Sequence, residues 1–280
     1  MAANNLTNTK AELISSLVQK ELLNSALLTN FMTDLSSMAM KGYSSISIPK
    51  LTGFTVGDRA FGAEGADNAA LVDSKDTINL DQNKIVKWNY DSHDAMQSSI
   101  NYQTMAAERA ASAHGRALNS AIVTLWDTIA GLDLASVADI TVDNILTMRK
   151  NMLDNNADMS KVALIVATDQ EKAILSLPEF SEYQYRGDGA APVTTGVIGR
   201  VYGIPVYVNT AVADGQAFMV ETTGSAIAFQ STAKYAEQDN LDYGTGGKKA
   251  VVDAVYGLGG LQIAEGTAAA GKSPFVCKLA

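Results

Sequence analysis

The chain has little of what most enzymes and nucleic-acid binders require. It has one cysteine, Cys277, so no internal disulfide framework can form, which fits a reducing compartment. It has two histidines, His93 and His114, both on a predicted long helix and too far apart to converge on one ion. A zinc or iron site needs a denser ligand set. Basic residues are outnumbered, 21 against 30 acidic ones, for a net charge of −9, and the densest basic spot is Lys248-Lys249. Holding nucleic acid by its phosphates takes clustered Lys and Arg, so direct nucleic-acid binding is not expected. No apolar run approaches the roughly 18 residues a membrane span needs. The opening "MAANNLTNTK" has no basic stretch leading into an apolar one, so it does not read as a secretory signal. Without secretion the sequon Asn5-Leu6-Thr7 carries no weight.

Catalytic motifs are missing as well. Gly257-Leu258-Gly259-Gly260 resembles a dinucleotide loop, but Gln262 breaks the G-x-G-x-x-G pattern and no helix follows. Gly247-Lys248-Lys249 lacks the leading glycine and the Ser/Thr of a phosphate-binding loop. Cys277 sits in a strand-like run without a nearby histidine, which reads as a buried, inert thiol. Glu179 and Glu182 flank a loop and read as solvated; Arg186-Gly187-Asp188 reads as a turn. The sequence therefore predicts no catalytic, cofactor-binding or metal residue.

What the chain does have is material for a core. Apolar residues are 47% and charged ones 18% of 280, enough for one large domain or two modest ones. Thr9 and Glu12 form a capping box ahead of a helix with Leu13, Ile14, Leu17, Val18 and Leu22 on its apolar face; it frays through a Met-rich stretch to Gly42. Ile46 and Ile48 alternate with serines as a half-buried strand does, and Pro49 marks an edge. Ile78, Leu80 and Ile85-Val86-Lys87-Trp88 read as the returning strand. Between the two, Gly57, Gly62 and Gly65 sit among charges. The expectation is a long hairpin with too little apolar surface to pack on its own domain, and such a hairpin is marginal alone.

A proline-free helix is predicted from Ser92 to Ala130, capped by Asp91 or Ser92, with Met96, Ile100, Ala107, Ala111, Leu118, Ile122, Leu125 and Ile129 along one side. Thr141 caps a second helix with Ile145, Met148 and Met152 inward. Lys161 to Thr168, "KVALIVAT", is a continuous apolar run and reads as a central strand buried on both faces. A short helix from Asp169 stops at Pro178. Val201-Tyr202-Gly203-Ile204-Pro205 then turns into Val206-Tyr207-Val208, followed by two strands in "QAFMVETTGSAIAFQ" and strands that return to the body.

This order of elements resembles the major capsid proteins of tailed bacteriophages, whose Hong Kong 97-type fold encapsulins share. "ISIPKL", "FGAEGADNAA" and "INLDQNKIVKWNY" resemble that family's extended loop. The helix from Ser92 resembles its spine helix, and "KVALIVATDQEKAILSL" the start of its axial domain. "GVIGRVYGIPV" matches the pattern G-x-I-G-x-x-x-G-I-P-V found there, with Gly203 and Pro205 at the corner and Val206 to Val208 as a core strand.

The resemblance implies an α+β fold with an N-terminal arm (1–45), an extended β-hairpin loop (46–90), a peripheral domain with the long spine helix (91–160), an axial domain (161–247) and C-terminal strands returning to the body (248–280). It implies a non-enzymatic subunit that self-assembles into hexamers and pentamers of an icosahedral virion shell, built in the host cytoplasm. That shell encloses double-stranded DNA without sequence-specific binding. Implied partners are further copies of itself, a portal and a decoration protein, with no cofactor and no membrane. The short arm and Met1 add a separate scaffolding protein. Hairpin charges Arg59, Glu64, Asp73, Lys75 and Asp76 are the expected inter-subunit contacts. The covalent Lys–Asn joining of the family's prototype has no counterpart marked at Lys75 or Lys84. An encapsulin-like nanocompartment is the same-fold alternative, and a soluble hydrolase the alternative of a different class.

Overall fold

The computed structural model describes residues 14–22, 26–51, 61, 73–91, 102–135, 137–177, 199–244, 246–261 and 272–279. Its axis is a helix, α2 (Tyr102–Ile129), of 28 residues, or about 42 Å at 1.5 Å per residue. The two ends of α2 do different work. Ala107, Ala110 and Ala111 near its start are buried and, being small, allow close approach. Leu118, Ile122, Val123, Trp126 and Ile129 near its end fill a large core. Trp126 is fully buried, and its indole N–H donates to the Ser225 hydroxyl at 3.0 Å. The first ten positions of the predicted helix, 92–101, lie outside the described residues. Asp91, one of the two expected caps, ends a strand, paired with Gly247.

Two larger sheets flank this helix. The four-stranded one runs β1 (Thr33–Asp34), β10 (Ser225–Asp239), β11 (Gly247–Gly260), β4 (Gln82–Asp91). The six-stranded one runs β5 (Ala130–Leu134), β12 (Ser273–Leu279), β9 (Ala217–Glu221), β6 (Val162–Val166), β8 (Ile204–Val208), β7 (Arg200–Val201). The core at the end of α2 joins them, taking Ile165, Phe218, Val220 and Val276 from one sheet and Ile227 and Tyr256 from the other. β6 is the buried central strand its composition predicts, antiparallel to β9 and parallel to β8. On this sheet pack α3 (Val142–Asp154), through Ile145, Met148 and Met152, and α4 (Thr168–Ser176), through Ile174. The Thr141 hydroxyl accepts from the Asn144 N–H at 3.3 Å, the expected cap. The short helix after β6 ends at Ser176, and Pro178 lies outside the described residues.

The Tyr202-Gly203 corner is a two-residue hairpin turn between β7 and β8, with φ of 48° and 85°. Positive φ at both central residues matches the right-handed strand twist, and glycine adopts it without strain. β8 is less central than the sequence suggests: Ile204 is buried, Tyr207 is exposed, and only β7 lies beyond it.

Strand pairing departs from the linear reading in three places. The expected returning strand is two strands that part at Asp81. β3 (Asp73–Asn79) pairs with β2 (Ser45–Leu51), whereas β4 pairs with β11. β9 and β10, adjacent in sequence, belong to different sheets, and so do β11 and β12. The described part of the N-terminal segment is built into the chain's own body. Helix α1 (residues 14–22) buries Ile14, Val18 and Leu22 against α2 and the four-stranded sheet, and Ala26, Leu28 and Met32 enter the core at the end of α2. The Thr9–Glu12 capping box and Leu13 lie outside the described residues.

Candidate assembly surfaces

The two-stranded hairpin β2–β3 rises from a prepared floor. Ile46, Ile78 and Leu80 at its root are buried against Ala226, Ala228 and Leu261. The floor consists of the cross-strand pairs Ala226–Gly259 and Ala228–Gly257. A Cβ on Gly257 would stand 2.4 Å from the Asn79 carbonyl oxygen, and one on Gly259 would stand 2.7 Å from Ile78 Cγ1. The glycine run that mimics a dinucleotide loop is thus the seat of the hairpin. Its chemistry is steric: glycine lets one backbone approach another. The root is therefore anchored on its own domain, unlike the unsupported hairpin the composition suggests.

The predicted contact residues separate on this frame. Arg59 and Glu64 lie outside the described residues. Asp73 is paired in register with Leu51, and its side chain is outside the description. Lys75 is exposed, opposite Pro49. Asp76 accepts from Lys50 Nζ at 2.7 Å, with side chains only 11% and 20% exposed, so this carboxylate is engaged within the hairpin.

A second polar centre joins the start of α2 to the four-stranded sheet. The Glu237 carboxylate accepts from Gln103 Nε2 at 2.5 Å, from the Tyr235 hydroxyl at 2.8 Å and from Lys248 Nζ at 3.1 Å. Lys248 also binds Asp239 at 3.0 Å. Burial pushes the Glu237 carboxyl up, but hydrogen bonds from Tyr235, Lys248 and Tyr90 outweigh it and hold it below 4.5. Burial, reinforced by Glu237, pushes the Tyr235 phenol up to about 12 and Tyr90 higher still. Lys248 is raised by its bonds to Asp239 and Glu237. These partners come from four elements, so no local sequence pattern displays the cluster.

The other groups weighed for chemistry are enclosed. Cys277 is buried and accepts from Asn151 Nδ2 at 3.1 Å; burial pushes its thiol up to about 12, far from a reactive thiolate. His114 is buried and donates from Nε2 to the Val252 carbonyl at 3.1 Å; His93 lies outside the described residues, as do Glu179, Glu182 and the Arg186-Gly187-Asp188 turn. Among the described residues no group of three or more His, Cys, Asp or Glu could hold a metal ion, and no helix is long and apolar enough to cross a membrane. Large apolar side chains are exposed at Met38, Met40 and Tyr43 before β2, at Phe61, and at Ile85 on β4.

No family model and no curated protein matches this sequence. Solved structures do. A chain of Mycobacterium phage Che8 is 17% identical, with a TM-score of 0.70 over 89% of both chains. A chain from the capsid structure of the cyanophage P-SCSP1u is 11% identical, with a TM-score of 0.67 over 89% of this chain and 85% of that one. A chain from the crystal structure of a virus-like particle from Pyrococcus furiosus is 9% identical, with a TM-score of 0.59 over 97% and 99%. At such identities the likeness is one of fold, and the chain has the α+β, Hong Kong 97-type fold of phage capsid proteins.

Proposed function

We propose that this chain is a major capsid protein, a structural and non-enzymatic subunit that assembles with copies of itself into an icosahedral head around double-stranded DNA. The observation that carries the reading is the likeness in fold to phage chains over about nine-tenths of both lengths. The hairpin fits it: its root, where Ser45–Leu51 pairs with Asp73–Asn79, is seated on the chain's own sheet. In this reading the chain divides into the arm, extended loop, peripheral domain and axial domain at the bounds expected from the sequence. Arg59, Glu64, Asp73, Lys75 and Asp76 then meet neighbouring subunits, Asp76 from its ion pair with Lys50. Hexamers and pentamers require heterologous, ring-closing contacts. A separate scaffolding protein, a portal and a decoration protein would complete the head. A nanocompartment shell is the second reading, favoured by the 97% and 99% coverage against the virus-like particle.

Size-exclusion chromatography with light scattering, then negative-stain microscopy of the void volume, tests the proposal. Closed shells or regular tubes are expected, from the chain alone or with its scaffold; a small oligomer under both conditions would sink it. Protein cargo inside shells formed without scaffold would select the nanocompartment.

A further inference from the structure

The four-stranded sheet has two faces of opposite character. Val86, Trp88 and Tyr90 of β4, Ala250, Val252 and Ala254 of β11, and Ala233 and Tyr235 of β10 point toward α1 and α2. The alternate residues point the other way. At one end of that outer face sits the hairpin root, over Gly257 and Gly259. Among the described residues nothing covers the remainder, and the register sets three rows across it: Asn89–Lys249–Gln238, Lys87–Val251–Ala236 and Ile85–Asp253–Lys234. Lys87, Lys234 and Lys249 are exposed and make no ion pair among the described residues; Ile85 is 51% exposed. Asp253 is the one acid in the three rows. Asp91, next beyond Asn89 in the same alternation, is the other acid of this face; in a chain of net charge −9, three lysines against two carboxylates are a local reversal of sign.

We infer that this outer face, centred on Lys87, Lys234 and Lys249, is the receiving half of a contact with an acidic surface of a second copy of the chain. The charge decides the kind of contact. Symmetric pairing of two copies through this face is unfavourable, because a two-fold would gather six lysines against four carboxylates. The rest of the chain is more acidic than the whole, so a different surface of the next copy is complementary. Such a contact is heterologous and propagates to a ring or shell. The flat, partly apolar middle of the face, Val251, Ala236 and Ile85, supplies area, and the lysines supply orientation and rate. The inference rests on the capsid reading.

The test replaces Lys87, Lys234 and Lys249 together by glutamate, and in a second variant by glutamine, with Lys150→Glu on exposed α3 as control. Shell yield is followed by light scattering across salt concentrations, and folding by thermal melts of the full-length chain. Expected are wild-type shells whose yield falls with salt, a glutamate variant that folds with an unchanged melting temperature but forms shells at least tenfold less, an intermediate glutamine variant, and a control like wild type. Wild-type yield and salt dependence in the glutamate variant would overturn the inference and leave the capsid reading standing. Normal shells that lose only co-purifying nucleic acid would overturn it too, by assigning the lysines to a polyanion. If wild-type chain forms no shells with or without scaffold, the capsid reading fails and the inference with it.

Discussion

Gly257 is occupied space: the Asn79 carbonyl stands where its Cβ would be, and backbone cannot swing aside as a side chain can. Gly257→Ala is expected to cost about 1–3 kcal/mol as an overpacking change, read as a lower denaturant midpoint with an unchanged slope. An equal midpoint would mean that the hairpin root shifts freely. Trp126→Ala should cost about 3–5 kcal/mol, since it opens a cavity at the junction of both sheets and orphans Ser225. Glu221, buried at the end of β9 with Oε2 unpartnered among the described residues, carries the opposite lesson. Burial pushes its carboxyl above the usual 4.5, against hydrogen bonds from Thr223 and the Asp158 backbone. The folded state therefore holds its proton more tightly than the unfolded chain, and stability declines as pH rises from 4.5 through the folded value. Glu221→Gln should melt higher than wild type at about pH 7, with the gap closing near about pH 4; a gap that persists in acid would assign the effect to packing instead.

The element that orders the molecule is α2, and its start and end are secured by different physics. The end is held by large apolar side chains, the start by alanines and by Gln103, which binds Glu237 and Tyr235. Glu237 has the sign opposite to Glu221. Its folded carboxyl lies below 4.5, so its contribution is present above that pH and is lost as pH falls through the folded value. Hydrogen exchange of amides 102–110, taken relative to the intrinsic rate at each pH, should lose protection in acid in the wild type, and Glu237→Gln should show the lower protection already at neutral pH. Identical exchange in the two proteins would mean that the helix start is held by its alanines alone. The helix itself was legible in the sequence from its period and lack of proline. This cluster was not, because one carboxylate gathers donors from β4, α2, β10 and β11, far apart along the chain.

At the scale of the whole molecule, the hairpin is the part whose loss should be felt only in assembly. Removing Asp58 to Val72 leaves β2, β3 and their floor intact. The truncated chain should therefore melt like wild type yet fail to form shells, and normal shells from it would remove the hairpin from the contact surface. Among the charges expected to act there, Asp76 is already engaged with Lys50, whereas Lys75 is exposed. The sequence names the charges of the hairpin. Register against Pro49 leaves Lys75 exposed, and register against Ile48 sets Asp76 where Lys50 reaches it.

By itself the sequence determined what depends on near neighbours: the Thr141 cap, the buried strand 162–166, the helical period of α2, and the order of elements that resembles a capsid protein. These follow from backbone geometry and side-chain alternation within a few residues. Only the tertiary structure decided that β3 and β4 part company at Asp81, that β10 and β12 serve different sheets, that residues 14–22 pack on their own chain, and that a glycine run seats a hairpin. Each depends on which distant strand or helix an apolar face meets. That choice is made by burial summed over the whole core, which no short window of sequence contains.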